Sequence, residues 1–293
     1  MKYVKIQAIC LVFYILIFPI SIATATAAQN VAIVVPAHLR PYMEFVDGLK
    51  KSIKNPVTIF FLDKNISHIK KRVTSKHWDV VVGVGYKSIS FLDNLNINGT
   101  NFIYSMIVYP EDIPENSRFK CGVYLVIPPE FILSTITTKF NKIKTILIPV
   151  SSKEAINYAK KIQYVSKHFH INTLIVGTSH ALPLLEKTNV VEQINKQWDK
   201  FDAILFVPDP IFSSKEVANF IIEQSILHKK AVIGYNKFFI ENGATMCFLV
   251  DFKKTGIITG NLIKDILKNH ICIPTYSAYN IEINQDALKY IMP

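Results

Sequence analysis

Short apolar runs that alternate with amphipathic helical segments constrain the fold of this chain more than any other feature of its sequence. VAIVV, from Val31 to Val35, is the first such run, and apolar residues at helical spacing follow it from Pro41 to Ile53. The runs are rich in β-branched residues and are bounded by turn residues. This pattern is typical of parallel strands that are buried on both faces between helices.

The alternation continues to the end of the chain as two consecutive sets of similar size. Two such sets predict two doubly wound, Rossmann-like α/β lobes. No low-complexity linker separates them, so we expect the boundary to lie in strands that cross between the lobes. The later predicted strands are VTIFFLD, WDVVVGVG, NFIYSMIVY, CGVYLVI, KTILIPV, INTLIVG, DAILFVPD, AVIGYNKFFI and ATMCFLVDF. The later predicted helices are ISHIKKRVTSK, YKSISFLDNL, PPEFILSTITTKF, KEAINYAKKIQYVSKHF, ALPLLEKTNVVEQINKQW, KEVANFIIEQSILHKK and GIITGNLIKDILKN.

Residues 1–27 have the pattern of a secretory signal peptide. Lys2 and Lys5 form a short positive region, and an almost unbroken apolar stretch runs from Ile6 to Ile22. The small residues of Ala25-Thr26-Ala27 then supply a cleavage site. We therefore predict export to the periplasm. An uncleaved membrane anchor is the alternative, because the apolar stretch is about long enough to span a bilayer.

The formal net charge of the chain is +11, and removal of Lys2 and Lys5 leaves +9 on the mature part. The positive residues are spread over helices rich in Lys, Ile and Asn, and no basic block stands out. Proteins that bind nucleic acids more often concentrate their charge in a stripe with interleaved aromatic residues. We therefore predict a solvated basic surface and no nucleic-acid partner.

Three cysteines remain in the predicted mature chain, at Cys121, Cys247 and Cys272. Each lies in an apolar segment, where a free cysteine behaves as a small hydrophobic residue. Their spacing matches no metal-binding motif. Export permits disulfides, so the sequence leaves open whether two of the three are bridged.

Two patterns that suggest a cofactor or a metal lack the rest of such a site. Dinucleotide-binding folds place G-x-G-x-x-G after the first strand, where backbone must approach a pyrophosphate. Here the first strand leads into PAHLRPY, and Gly83-Val84-Gly85 follows the third strand with Ser88 in place of the third glycine. His168 and His170 lie at a helix end with no acidic neighbour. We predict neither a cofactor nor a metal.

A serine hydrolase is one alternative that the sequence leaves open. Ser179 lies in Gly177-Thr178-Ser179-His180-Ala181, between a predicted strand and a predicted helix, as the nucleophile of a hydrolase does. Asp209 and His228 follow in the order acid, then base. Against this reading, alanine replaces the last glycine, and no glycine-rich oxyanion loop precedes the serine. A polar loop that caps the next helix is the simpler interpretation.

The loops after the predicted strands are the expected binding site, because ligands of open α/β sheets bind beyond the carboxyl ends of the strands. These loops mix aromatic rings, hydroxyls and a carboxylate, which suits a small polar molecule. The amides of Tyr86 to Ser88 open a helix and can hold an anion, and Asp209 can accept from an ammonium or a hydroxyl. The candidate ligand-binding residues are His38, Arg40, Tyr42, Tyr86, Lys87, Ser88, Tyr109, Ser151, Thr178, Ser179, Asp209 and Asn236.

With these residues in place, the sequence resembles substrate-binding proteins of ABC transporters with the type I periplasmic-binding fold, in the branch that includes tryptophan and tyrosine binders. The resemblance is diffuse but covers nearly all of the predicted mature chain, and it ends on Asn284, Ala287 and a C-terminal proline. The segments that carry it are VAIVV, RPYMEFVDGLKKSI, WDVVVGVGYKSISFL, MIVYPED, CGVYLVIPPEFIL, KTILIPVSS, DAILFVPDPIFSS, FFIENGATMCFLVDFKKTGIITGNLIKDIL and NIEINQDALKYIMP.

The resemblance implies two lobes joined by a hinge of crossing strands, with residues 28–124 and 242–275 in the first lobe and 125–241 and 276–293 in the second. It also implies a monomer that performs no catalysis, binds a small molecule between its lobes, and delivers it to an ABC permease. A sensory or adaptor protein of the same fold is the alternative. Tyr86-Lys87 stands where such proteins often carry a small or hydroxyl residue, and this bulky, basic edge favours a planar or anionic ligand.

Overall fold

Two sheets, each of six strands within the described residues, form the frame of the computed structural model of this chain. The structure describes residues 30–177 and 191–291. The predicted signal peptide therefore lies outside the described residues, and so does most of the predicted helix that begins at Ala181. The prediction of two doubly wound α/β lobes is confirmed.

The first sheet is parallel throughout and has the strand order β11-β5-β4-β3-β1-β2. Val31 at the start of the central strand β1 pairs with Val57 on one side and Val80 on the other. All five residues of β1 are fully buried, as expected for a parallel strand that helices cover on both faces. The strands are β1 (Val31–Val35), β2 (Val57–Phe61), β3 (Trp78–Val84), β4 (Gly99–Ile107), β5 (Cys121–Tyr124) and β11 (Thr275–Tyr276).

The second sheet has the order β12-β10-β9-β8-β6-β7. Its strands are parallel except for β12, which runs antiparallel to β10 at the edge. The strands are β6 (Thr145–Val150), β7 (Asn172–Gly177), β8 (Ala203–Leu205), β9 (Ala231–Gly234), β10 (Met246–Val250) and β12 (Tyr279–Ile283).

Helices cover both faces of each sheet and bury apolar cores against them. Several begin at a side-chain cap: Asn65 accepts from the His68 amide, and Ser152 accepts from the Ala155 amide. The helices are α1 (Arg40–Ser52), α2 (Ile66–Thr74), α3 (Gly85–Asp93), α4 (Pro129–Lys139), α5 (Lys153–Ser166), α6 (Lys215–Leu227), α7 (Lys237–Glu241), α8 (Phe252–Asn269) and α9 (Gln285–Ile291).

One predicted strand, AVIGYNKFFI, is wrong in its second half. The strand β9 ends at Gly234, and Lys237–Glu241 forms the short helix α7. Phe239 of this helix packs in the core of the second lobe, with its ring centroid 4.7 Å from that of Phe206. An apolar run that crosses from a strand into a helix looks continuous in sequence, since both elements bury their apolar residues in the same core.

The chain passes between the lobes at three places in its described part: after β5, between β10 and α8, and between β11 and β12. The Tyr279 hydroxyl lies at these crossings, 2.7 Å from the carbonyl oxygens of both Leu125 and Val126. This hydroxyl therefore ties two of the crossing segments together.

The strand β10 corrects the lobe boundary predicted from sequence. The resemblance implies that residues 242–275 belong to the first lobe, but Met246–Val250 pairs with β9 and β12 in the second sheet. The return to the first lobe begins with α8, which packs closely on α1. A Cβ on Gly256 would lie 2.0 Å from the Phe45 carbonyl oxygen, so this helix contact requires glycine.

Cys121 and Cys272 form a disulfide across 151 residues of sequence. It joins β5 to the segment between α8 and β11, so it attaches the returning part of the chain to the rest of the first lobe. Cys247 is free and buried in β10. The pairing that the sequence left open is thus between Cys121 and Cys272.

Candidate functional site

The loops that follow the strands of the two sheets meet in a cleft between the lobes. Tyr109, just after β4, donates a hydrogen bond of 2.6 Å from its hydroxyl to the carbonyl oxygen of Pro208, which follows β8. Farther out, the Lys161 ammonium of α5 lies 2.6 Å from the Glu111 carboxylate. These two contacts bring the carboxyl-end loops of both sheets to one site, as an open α/β sheet requires of a ligand site.

Three neighbouring cavities in this cleft are each lined by both lobes. The hinge cavity, of about 200 Å³, lies between the crossing segments and is lined mainly by apolar side chains such as Val126 and Phe248. The basic groove, of about 280 Å³, lies between Arg40 at the start of α1 and Lys237 at the start of α7. The tyrosine chamber, of about 580 Å³, is lined by Tyr104, Tyr109, Tyr124, Tyr158 and Tyr276 together with Glu111, Glu154 and Lys161.

His38 and Arg40, two of the predicted ligand residues, are engaged at the surface of the first lobe. The His38 ring stacks on Phe61, with centroids 3.6 Å apart, and its backbone amide and Nδ1 both lie within 3.0 Å of the Asp63 carboxylate. Arg40 is exposed and pairs with Glu44 at 2.7 Å. Of the two, Arg40 lines the basic groove.

Tyr42 is half-buried at the point where the loops after β1 and β3 approach each other. Its hydroxyl lies 3.5 Å from the place that a Cβ on Gly85 would occupy. Gly85 has a φ of +71°, a conformation that favours glycine. Burial raises the pKa of Tyr42, so its hydroxyl remains protonated and can donate to a ligand.

Tyr86, Lys87 and Ser88 form the first turn of α3. The Tyr86 hydroxyl donates to the Tyr109 carbonyl oxygen and lies 2.9 Å from the Asp112 carboxylate. Lys87 is exposed. Ser88 is fully buried, and its hydroxyl has no hydrogen-bond partner among the described residues. No side chain of the described residues caps this helix, so its first amides are available to a ligand.

Ser151 and Asp209 interact with each other, which changes the role predicted for both. The Asp209 carboxylate accepts from the Ser151 hydroxyl at 2.5 Å and from the amides of Ser151, Ser152, Ile211 and Phe212. Its side chain is 3% exposed. A carboxylate has about four lone-pair sites, so these five donors satisfy it. Asp209 therefore braces the loops after β6 and β8 and does not receive an ammonium from a ligand.

Asn236 lies between two of the cavities, at the start of α7. It lines both the hinge cavity and the basic groove, as does its neighbour Tyr235. The Tyr235 hydroxyl lies 2.7 Å from the Ser213 hydroxyl, and burial raises the pKa of Tyr235. Sequence analysis identified Asn236 but missed Tyr235, although both follow the same strand.

The arrangement does not support the hydrolase alternative. Thr178 and Ser179, also predicted as ligand residues, lie outside the described residues. Asp209 precedes α6, whereas His228 follows its last residue and stacks on Trp198 with ring centroids 4.5 Å apart. Asp209 and His228 lie beyond opposite ends of a helix of 13 residues, and a helix of that length is about 20 Å long. These two residues therefore cannot share one catalytic triad.

The tyrosine chamber is the part of the cleft that sequence reasoning missed, apart from Tyr109. Its rings come from β4, β5, α5 and β11, which are far apart in the sequence. Glu111 lies two residues after the predicted strand NFIYSMIVY, and Glu154 lies in the first turn of α5. Their positions next to strand ends were the signal in the sequence that could have identified them as cleft residues.

Within residues 30–177 and 191–291, no cluster of three or more His, Cys, Asp or Glu side chains is arranged to hold a metal ion. No helix in this part of the chain has the length and apolar character to cross a membrane.

Comparison with known proteins relates this chain to solved structures through its fold. No protein-family model matches the sequence, and no curated protein matches it. A ligand-free, open substrate-binding protein with adhesive properties from Clostridium difficile is similar over 90% of this chain and 94% of its own, with a TM-score of 0.65 and 16% identity.

Two other structures have comparable similarity. An ABC domain in complex with L-Trp from Streptococcus pneumonia aligns over 90% of this chain and 95% of its own, with a TM-score of 0.56 and 14% identity. A periplasmic ribose ABC transporter from Conexibacter woesei aligns over 90% of this chain and 94% of its own, with a TM-score of 0.57 and 12% identity. Identities this low establish a shared fold.

Proposed function

We propose that this chain, which has the type I periplasmic-binding fold, is an exported solute-binding protein of an ABC-type importer. Its two lobes close on a small organic ligand in the cleft between the sheets, and a membrane permease recognises the closed form. The protein works as a monomer in the periplasm, uses no cofactor, and does not alter the ligand chemically.

The observation that carries this proposal is the cleft itself, because all three of its described cavities are lined by both lobes. A ligand held there contacts two bodies that are connected by crossing segments. The tyrosine chamber, at about 580 Å³, has the volume of a typical site for a small organic molecule.

The same geometry explains why the two lobes close when a ligand binds. A ligand that contacts both lobes has more contacts in the closed arrangement, so it shifts the population toward that arrangement. Two contacts already connect the lobes across the cleft. They are the hydrogen bond from Tyr109 to Pro208 and the ion pair between Glu111 and Lys161. The Tyr279 hydroxyl holds the crossing segments about which the lobes turn.

An amino acid or a similar planar or anionic metabolite fits the groups around the cleft. The first amides of α3 lack a side-chain cap within the described residues, and the buried Ser88 hydroxyl beside them is unpartnered there. Helix amides of this kind bind carboxylates. Lys237 adds positive charge at the basic groove.

A thermal-shift screen of the mature protein against amino acids, organic acids, purines and amines tests the proposal. A compound that binds at 100 times its Kd stabilises the folded protein by about 2.7 kcal/mol, which raises Tm by about 5 °C or more for a chain of this size. Lys237→Ala should weaken the binding of an anionic ligand. Lys200→Ala, on the exposed surface away from the cleft, should leave that binding unchanged. Absence of a shift across the whole screen would contradict the proposal.

A further inference from the structure

We infer that the tyrosine chamber binds an organic cation, either a protonated amine or a quaternary ammonium group. This inference rests on the proposed function and concerns the group that the chamber would hold, whereas the anion-binding groups named above, the first amides of α3 and Lys237, do not line the chamber. It differs from an acidic surface cluster because the carboxylates line a half-open cavity of about 580 Å³ whose walls are aromatic.

Three tyrosine rings form a continuous wall of the chamber across its first-lobe side. The ring centroids of Tyr104 and Tyr124 are 5.8 Å apart, and those of Tyr124 and Tyr276 are 5.3 Å apart with the planes 64° from parallel. Tyr109 and Tyr158, with centroids 5.9 Å apart, continue the aromatic lining toward the second lobe. Aromatic rings attract cations through their quadrupole, most strongly where water is excluded.

Several of these tyrosines have already used their hydroxyls. Tyr109 donates to the Pro208 carbonyl oxygen, and Tyr158 donates to the Ile127 carbonyl oxygen. Each of these two tyrosines is less than a tenth exposed. Their contribution to the chamber is therefore mainly that of a ring, which favours a cationic or apolar group over a sugar that needs many hydroxyl partners.

The charges of the chamber select the cation over a neutral aromatic group. Glu111, Glu115 and Glu154 line it together with Lys120 and Lys161. The Lys161 ammonium is paired with Glu111 at 2.6 Å, whereas Glu154 forms no ion pair within the described residues. The three carboxylates and two ammonium groups give the lining a net charge of −1, in a chain whose net charge is +11.

The acidic character is also evident in the neighbouring ionisable groups. Burial raises the pKa of Tyr104 and of Tyr109; the Tyr124 hydroxyl adds to the rise at Tyr104 and the Asp209 carboxylate to the rise at Tyr109, with a smaller contribution from Glu111 in both cases. Burial likewise raises the pKa of Asp112, and the nearby Glu154 and Glu111 add to the effect. A cation in the chamber would reduce this repulsion, so binding stabilises the arrangement of the carboxylates.

Isothermal titration with matched probes tests the inference. The probes are benzyltrimethylammonium and benzylamine, and benzyl alcohol is the neutral control of similar shape. We expect both cations to bind and the alcohol to bind at least tenfold more weakly. Raising the ionic strength should weaken the binding of the two cations and leave that of the alcohol unchanged, because salt screens the carboxylates.

Two variants place the binding in the chamber. Glu154→Gln removes the unpaired carboxylate, and Tyr276→Leu removes a ring that is 40% exposed, so that folding is retained. Each should raise the Kd of the cations about tenfold, which corresponds to 1.4 kcal/mol. The controls are Glu223→Gln and Tyr290→Leu, at exposed positions outside the chamber, and both should bind as the wild type does.

The outcomes separate this inference from the proposed function. Cation binding that is unchanged in both variants would overturn the inference, because the site would then lie elsewhere. A shift in Tm with neutral or anionic compounds and none with the cations would overturn it too, while leaving the solute-binding proposal in place. Failure of every compound in the screen would count against the proposed function itself.

Discussion

The Asp209 carboxylate accepts a hydrogen bond of 2.5 Å from the Ser151 hydroxyl, which is 58 residues earlier in the sequence. This bond joins the loop after β6 to the loop after β8, and both loops line the second-lobe side of the cleft. The carboxylate thereby braces the two loops, with protein donors at each of its oxygens.

Replacement of Asp209 by asparagine should destabilise the protein by about 3 kcal/mol, because several buried amides would lose a charged acceptor. Urea unfolding measures this loss. Asp199→Asn, at an exposed position, is the control and should change stability by less than about 0.5 kcal/mol. If Asp209→Asn kept full stability but abolished ligand binding, the carboxylate would be a ligand contact and the assignment would be wrong.

The Tyr279 hydroxyl should control the hinge. Tyr279→Phe removes the donor to the Leu125 and Val126 carbonyl oxygens and should cost about 1 kcal/mol of stability. It should also widen the distribution of lobe separations measured by X-ray scattering without ligand. Tyr290→Phe, exposed on α9, serves as control. An unchanged scattering profile for Tyr279→Phe would exclude this hinge role.

Reduction of the disulfide should lower stability substantially. The bridge spans 151 residues. A disulfide that closes a loop of that order adds about 3 to 5 kcal/mol to the free energy of unfolding. Urea unfolding with and without reductant measures the difference. A Cys121→Ala/Cys272→Ala double variant should not respond to reductant, and a response that persists there would have to come from another source.

Acid should weaken the contact between Glu111 and Lys161. Burial acts to raise the pKa of Glu111, but its hydrogen bond to Lys161 and the nearby ammonium charge outweigh burial and leave this pKa below the ordinary value of 4.5. A depressed folded-state pKa gives stability above the unfolded value that is lost as the pH falls through the folded one.

The lobes should therefore separate more readily below pH 4.5, as scattering at several pH values would reveal. In Lys161→Met the acid-dependent part of the change should shrink, since the partner that depresses the pKa is gone. Lys160→Met, the adjacent exposed lysine, is the matched control. An equal acid response in wild type and Lys161→Met would show that this pair does not hold the lobes.

The fold could be predicted from sequence because its signals are local. A short run such as Val31–Val35, rich in β-branched residues and bounded by turns, favours a central parallel strand that is buried on both faces. The lobe boundary could not be placed as well, because β10 pairs with β9 and β12 through contacts that the local pattern does not encode.

The sequence places candidate residues in loops after strands, but it does not give their contacts. Sequence correctly places Asp209 after a strand, yet a carboxylate there can either bind a ligand or brace a neighbouring loop. The choice depends on Ser151 and on loop amides that only the folded chain brings within reach. The tyrosine chamber could not be predicted for the same reason, since Tyr104 and Tyr276 approach each other only through Tyr124.

Small-angle scattering of the mature protein, with and without the compound that gives the largest thermal shift, tests the central claim most directly. If two hinged halves enclose a solute, the radius of gyration must fall on saturation, and the fall must follow the same Kd as binding. A compound that binds tightly while the radius of gyration stays constant would contradict the account.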